Sequence, residues 1–517
     1  MLLIYPPVTK PCEPPAGIAR LSGALQQHGV PHTIVDANVE GLGFLMKKSG
    51  AAGDSPPDTW TRRAVRRLAR DRAVLNDFGT YRALDRYKSA VMNINRVIER
   101  AAGEQGVVVS LSDYADAALS PLKSSDLLRS AEEPGRNPFF PYFSARLTQL
   151  IEGEAPSAVG LSLTFLSQAL TTFAMIGFLR DRFPELRIII GGGLVTSWMR
   201  RPGWSDPFRG LVDACIAGPG EERLLSLLGV HVQGEAAGCR TYTPDYALLR
   251  NNGYSAPGFI LPYSGSEGCS WSKCSFCPER AEGSRFSPVS SEKVIDDLAL
   301  LARRVSPSLI HFLDSAMSPS LLRKLAASPQ PAPWYGFARV GRELADYDFC
   351  MALKASGCVM LKLGIESGDQ DVLDRLRKGI EVETASQALR MLHKAGIATY
   401  VYLLFGTPAE TEAAAARTLD FTVRHHAVID FLNLAVFNMP VNDPDAAHYG
   451  AGIFYEGDLS LYTGFDHPSG WSRRRVRRFL DGEFKRHPSI AAILRREPPF
   501  FTSNHAPFFS PFHPAWR

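Results

Sequence analysis

Two α/β units in tandem are predicted: a doubly wound parallel sheet over residues 1–240, then a partial barrel of six β/α units over residues 255–440. Three observations predict this. Short apolar runs alternate with segments of helical periodicity in both stretches. One long stretch rich in Arg, Ala and Leu breaks the alternation in the first unit only. The chain, at 517 residues, is also too long for one ordinary core.

In the first unit, residues 2–5 read as a short buried strand, 15–28 as a helix stopped at Gly29, and 32–36 as a second strand. The pattern resumes with strands at 158–163, 187–190 and 214–217 and helices at 166–182 and 221–228. Such alternation implies a parallel sheet that binds ligands at the carboxyl ends of its strands. The intervening residues, about 41–153, are read as an inserted helical subdomain, with helical spacing clearest over 61–102. Its basic run Arg62-Arg63-Ala64-Val65-Arg66-Arg67 reads as a solvated helix face, with an anionic partner as the alternative.

From Phe259 the alternation restarts. Strands are expected at 259–263, 309–314, 334–339, 359–365, 399–405 and 431–436, with helices between them, for example 292–303 and 410–425. Six such units form a partial barrel whose working face lies at the strands' carboxyl ends. Residues 441–517 form a C-terminal extension. It contains a basic stretch after Trp471, and an end dense in Phe, His and Pro that water would not tolerate exposed. That end is expected over the barrel mouth or along the barrel's side.

A hydrophobic content of 45%, a charged content of 21% and a formal charge of +4 describe an ordinary globular protein, with no argument for nucleic acid or membrane. The apolar start stops at Pro6-Pro7, too soon for a signal peptide, and no run is long enough to span a bilayer. Eight cysteines without disulfide-like pairing fit a reducing compartment, so a cytoplasmic location is expected.

Three of those cysteines crowd into Cys269-Ser-Trp-Ser-Lys-Cys274-Ser-Phe-Cys277, just after the first strand of the second unit. Three thiolates on a short irregular loop can hold three irons of a [4Fe–4S] cluster and leave the fourth iron open for chemistry. A zinc knuckle is the alternative; it needs four ligands in two pairs, and the next histidine is the distant His311. Cys12, Cys215, Cys239, Cys350 and Cys358 are scattered and read as small buried hydrophobes.

The loop, including Phe276, resembles the cluster loop of the radical S-adenosylmethionine (SAM) superfamily. That family usually has three residues between its first two cysteines; here there are four. The resemblance extends over residues 259–440. Leu363-Gly364-Ile365-Glu366-Ser367-Gly368 is similar to the family's fourth-strand motif, and implies that Glu366 contacts the SAM ribose and Lys378 its carboxylate. The turn around Gly406 resembles the family's adenine-binding turn. Asp314 and Ser315 fall near the expected SAM amino group, and Arg339 is a further candidate cofactor contact. The implied chemistry is reductive cleavage of SAM to a 5′-deoxyadenosyl radical, with an external one-electron reductant such as flavodoxin or ferredoxin.

The first unit resembles the Rossmann-like cobalamin-binding domain that precedes many such barrels. The similar segments are Tyr5-Pro6-Pro7-Val8, Gly160-Leu161-Ser162-Leu163-Thr164, Ile190-Gly191-Gly192-Gly193 and Ala217-Gly218-Pro219-Gly220-Glu221-Glu222. The resemblance implies cobalamin contacts at Pro6, Pro7, Gly191, Gly192, Gly193, Gly218 and Gly220. The motif that supplies an axial histidine is absent, and Asp36-Ala37-Asn38 does not replace it. Methylation of an unactivated carbon is then the expected activity. Another radical rearrangement with a vestigial cobalamin domain is the alternative, and a non-catalytic cluster or corrinoid carrier a third. A carrier has no need of Glu366 and Lys378. Small-molecule, peptide and lipid substrates all stay open.

Overall fold

Leu2-Leu3-Ile4-Tyr5 is buried along its whole length, as a strand covered on both faces must be. In a computed structural model of the chain it lies inside a five-stranded parallel sheet. The structure describes residues 1–51, 58–103, 106–230, 242–450, 452–499 and 505–509. The chain divides into two compact units, Met1–Phe259 with Tyr455–Leu461, and Ile260–Phe454 with Tyr462–Pro498.

The first unit's sheet contains β1 (Leu2–Tyr5), β2 (Thr33–Asp36), β3 (Ala158–Ser162), β4 (Arg187–Gly191) and β5 (Ala214–Cys215), in the order β2-β1-β3-β4-β5. All neighbours are parallel. Chain direction across the sheet reverses between β1 and β3, so their carboxyl ends flank the crevice where such sheets take ligands.

The insertion is mainly helical, as expected, but two details differ. Its first helix, Ala37–Ala51, begins directly at the end of β2 because the Asp36 carboxylate accepts the Val39 N–H at 3.1 Å. It also contains a β-hairpin, Val107–Val109 with Tyr114–Asp116, whose three-residue strands are too short to reveal a period of two in sequence. The Ser110 hydroxyl holds its turn by accepting the N–H groups of Ser112 and Asp113. The arginines of helix Thr59–Asn76 lie on its exposed face.

The second unit contains β6 (Ile260–Tyr263), β7 (Leu309–Met317), β8 (Trp334–Ala338), β9 (Cys358–Glu366), β10 (Ala398–Phe405) and β11 (Phe431–Val436). They pair in sequential order, all parallel. Among the described residues β6 and β11 do not pair, so the barrel stays open. Helix starts follow side-chain caps: Ser290, Asp346, Asp369 and Thr411 each accept a first-turn N–H. The Thr411 cap explains why the helix expected from 410 begins at Glu412, with Glu410 turned into the core.

Cys12, Cys350 and Cys358 are fully buried and Cys215 is half-buried, while Cys239 lies outside the described residues. The described part of the aromatic tail does not cover the working face. His505 stacks on Tyr400 at 4.4 Å and meets Phe431 at 4.5 Å, toward the amino-terminal ends of β10 and β11. Among the described residues no helix is long and apolar enough to cross a membrane.

Candidate functional site

The cysteine loop leaves β6 at its carboxyl end and is closed at its base by a short antiparallel pairing of Ser266–Glu267 with Ser287–Pro288. Asp314, on β7, pins that base: its carboxylate accepts the Gly265 N–H at 2.9 Å and the Ser266 hydroxyl at 2.5 Å. Burial raises its pKa, and these two bonds oppose the shift. The structure therefore gives Asp314 a bracing role at the loop base. Ser315, the next residue, hydrogen-bonds the Glu279 carboxylate just beyond the last cysteine.

Cys269, Cys274 and Cys277 are all half-buried free thiols. The Cys277 N–H donates to the Cys274 carbonyl at 3.3 Å, and the Ser275 N–H to Leu376 O at 3.0 Å. Burial pushes the Cys274 and Cys277 thiols up; Lys378 and Arg339 oppose this at Cys274, and the N–H groups of Arg280 and Glu279 oppose it at Cys277. Cationic and N–H surroundings are what thiolate ligands of an iron–sulfur cluster use. Among the described residues no three Cys, His, Asp or Glu side chains converge as a single zinc ion requires. Three half-buried thiols on one loop, with Lys378 and Arg339 bearing on Cys274, are a donor set of the chemistry that a cubane cluster takes. His311 is engaged elsewhere: it stacks on Tyr335 at 4.3 Å, with its Nε2 3.1 Å from Lys362 Nζ.

The extra residue between Cys269 and Cys274 has a definite place. Ser272 adopts a left-handed conformation, φ +44°, and Trp271 turns onto the Arg377–Gly379 segment. The Trp271 Nε1–H donates to Arg377 O at 2.9 Å, and the Arg339 guanidinium lies 3.8 Å from the ring centre. Arg339 also donates to the carbonyls of Lys378 and Gly379. Gly379 is required here: its φ is +64°, and a Cβ would lie 2.2 Å from a ring carbon of Trp271. Lys378, between these anchored carbonyls, reaches Glu366 Oε1 at 2.9 Å and lies 5.5 Å from the Phe276 ring. Glu366 has φ +69°, and the pairing of β9 with β10 shifts register between Gly364 and Glu366. This strained strand end aims the carboxylate. Cysteines, Arg339, Glu366 and Lys378 thus form one connected site.

Gly406 follows β10 and donates its N–H to Glu410 Oε2 at 2.5 Å; that oxygen also accepts the Trp471 Nε1–H at 2.9 Å. Burial pushes Glu410 up to about 7 from the usual 4.5, against the pull of both bonds. Its other oxygen is buried without a partner. The folded chain therefore holds a proton here that the unfolded chain releases, and the resulting stability is lost as pH rises from about 4.5 through about 7. Glu410→Gln is expected to flatten the pH dependence of the melting temperature across that window. Unchanged curvature in a pH series of melts would rule this out.

Sequence reading missed Glu410, Trp271 as an anchor, and Lys362. Lys362 is 5% exposed, on the same face of β9 as Glu366, with the Tyr335 and Phe337 rings each 5.0 Å away. A lysine at the parity of Glu366 in an otherwise apolar strand was the available signal.

In the first unit, Gly191, Gly192, Gly218 and Gly220 converge on a cleft between the sheet and the helices Ala16–Gln27 and Glu221–Leu227. Gly160 floors it: a Cβ there would lie 2.8 Å from Met1 Cε. Arg20 and Glu221 pair at 2.6 Å on its lining. Gly192, φ +108°, leaves no room for a side chain beside Leu163 O, 2.5 Å from its Cβ position. Pro6, Pro7 and Gly193 do not line the cleft; Pro6 O accepts from Gln168 Nε2 at 2.7 Å. Asp36 and Asn38 brace the strand ends. Asp36 accepts the Tyr254 hydroxyl at 2.8 Å, and burial pushes its pKa up to about 6; Asn38 bonds both backbone groups of Thr9. The cleft's lining is glycine-rich and largely apolar, and it runs along the sheet from Met1 and Leu3 to the carboxyl ends of β3 and β4.

Residues 263–422 match the Radical SAM superfamily, and this part of the chain is a radical SAM domain. An uncharacterized methyltransferase of Pyrococcus horikoshii is 28% identical over 188 residues, covering 34% of this chain and 40% of that protein. The tryptophan 2-C-methyltransferase of Streptomyces laurentii is 27% identical over 204 residues, covering 34% of this chain and 32% of that protein. The chain thus matches less than half the length of either relative. Among solved structures, the radical SAM methyltransferase TsrM from Kitasatospora setae, with cobalamin and a [4Fe–4S] cluster bound, has a TM-score of 0.47 and 16% identity, over 85% of this chain and 75% of that one. The cobalamin-dependent SAM radical enzyme OxsB has a TM-score of 0.45 and 18% identity, over 56% of this chain and 47% of that one.

Proposed function

We propose that the chain is a radical SAM enzyme that methylates an unactivated carbon. In this reading Cys269, Cys274 and Cys277 hold a [4Fe–4S] cluster, Glu366 and Lys378 seat SAM with Gly406, and the glycine-floored cleft takes cobalamin. One observation carries it: the Glu366–Lys378 pair is tied through Arg339 and Trp271 to the loop that bears all three cysteines. When bound, these cofactors supply the reductive C–S cleavage and the methyl group.

The protein's own part is orientation. Lys378, held at its carbonyl by Arg339, presents a fixed positive charge to a carboxylate, and Glu366 presents an acceptor to hydroxyls. The left-handed Ser272 lets a lengthened loop return its second and third cysteines to the same turn. A reducing, cytoplasmic setting and an external one-electron donor belong to the proposal, since free thiolates must be kept reduced.

Anaerobic reconstitution with iron, sulfide and cobalamin tests it. A brown protein that retains corrinoid and converts SAM to 5′-deoxyadenosine with dithionite agrees; no SAM cleavage by a fully loaded protein rejects it, and cleavage without corrinoid retention leaves the non-methylating alternative. Gly160→Leu fills the floor of the cleft. It is expected to reduce retained corrinoid at least tenfold, read by visible absorbance, while iron content stays at the wild-type value. Equal retention would remove the cleft from the proposal.

A further inference from the structure

We infer that the arginine-rich helix Arg473–Phe479 is the docking surface for an acidic one-electron carrier protein. This rests on the proposed radical SAM chemistry and adds where its electron enters. Between Arg473 and Arg486 there are seven Arg or Lys and two Asp or Glu, a surplus of five positive charges in a chain whose whole net charge is +4. Helix Thr59–Asn76, with six Arg and one Asp, carries an equal surplus.

The helix is firmly seated. Val476 and Phe479 are buried, and Phe479 packs against Phe405, Trp471 and Phe484. Arg474, Arg477 and Arg478 share the opposite, exposed strip at i, i+3 and i+4 spacing. Arg474 and Arg478 make no hydrogen bond or ion pair among the described residues, and Arg477 only lends its field to Asp481. Arg475 pairs with Glu412 at 2.6 Å.

The same helix touches the surroundings of the cluster loop. Arg473 donates to Phe437 O at 3.2 Å and to Asn438 Oδ1 at 2.5 Å. Phe437 belongs to an apolar group with Met439 and Ala446, against which Phe276 packs. Phe276 directly precedes Cys277. A carrier on the exposed arginines is thus joined to the cysteines through continuous packed contacts. The other arginine-rich face, on helix Thr59–Asn76, belongs to the unit that does not hold the cysteines. Redox partners meet in small interfaces steered by charge, and an exposed arginine strip suits such a meeting. In the step itself the carrier loses one electron and the cysteine-held centre gains it; no covalent bond changes and no proton moves.

The test uses the full chain, loaded with its cluster, and the triple variant Arg474→Glu/Arg477→Glu/Arg478→Glu. Binding of oxidised flavodoxin is measured by titration calorimetry at low and high salt. The expected result is an affinity loss of about tenfold or more, with the salt dependence flattened. Flavodoxin-supported SAM cleavage falls in step, while dithionite-supported cleavage is unchanged. The variant with lysine at all three positions recovers most of the affinity. Wild-type affinity in the triple glutamate variant overturns the inference. So does an equal loss with dithionite, which assigns the arginines to an anionic substrate or to folding. If neither protein cleaves SAM with dithionite, the functional proposal fails, and the calorimetry still decides the docking surface.

Discussion

Cys274→Ala is expected to abolish SAM cleavage and to leave a protein that cannot hold a full cluster. In the proposed site each of the three sulfurs would bind a different iron, so removing one removes a ligand that the cluster needs. Cys274 is the middle of the three cysteines, with the Cys277 N–H donating to its carbonyl and Lys378 and Arg339 bearing on its sulfur. The fold should survive, because the loop is anchored independently by Asp314 at its base and by Trp271 and Arg339 farther along. Iron and sulfide content, the visible absorbance of the anaerobically reconstituted protein and a thermal melt separate these effects. Cys358→Ala is the matched control: that thiol is buried within β9, so iron should stay while stability falls by about 1 kcal/mol. Iron retained in the first variant and lost in the second would reverse the assignment.

Glu366→Ala is expected to be the most damaging change among the residues proposed to seat SAM. It removes the partner of Lys378, whose side chain is only 12% exposed, and leaves an ammonium without its counter-charge. Breaking such a pair from one side costs about 3 kcal/mol or slightly more. SAM affinity should fall as well, because the freed lysine loses its fixed orientation. Glu366→Gln paired with Lys378→Met removes both charges together and should recover most of the stability without recovering SAM binding. Urea denaturation gives the first comparison and equilibrium SAM titration the second. A double variant no more stable than Glu366→Ala would show that the strained turn at Glu366, not the ion pair, carries the energy.

The candidate site was legible wherever its chemistry is local in the chain. Three cysteines within nine positions can be read without a fold because their spacing already confines them, whereas Glu366 and Lys378 stood out through their resemblance to a family motif. The order of strands and helices was legible too, since apolar runs of strand length between helical segments admit few topologies. Bracing residues were not legible. Asp314 faces Gly265 and Ser266 from the next strand, and Arg339 reaches the Lys378 and Gly379 carbonyls from another. Nothing within a few residues of either marks those partners.

What the amino-acid order determined by itself was the alternation of elements and the three-sulfur loop. Each depends on residues within about one turn or one strand of each other. Tertiary structure alone decided that the extra loop residue is absorbed at Ser272, and that Trp271 bears on Gly379. It also decided that Glu410 is turned inward beneath Trp471, and that Gly160, Gly191 and Gly220 border one cleft. The reason is physical: burial and close approach arise between segments distant in sequence, and no local pattern encodes which backbone will lie against which side chain.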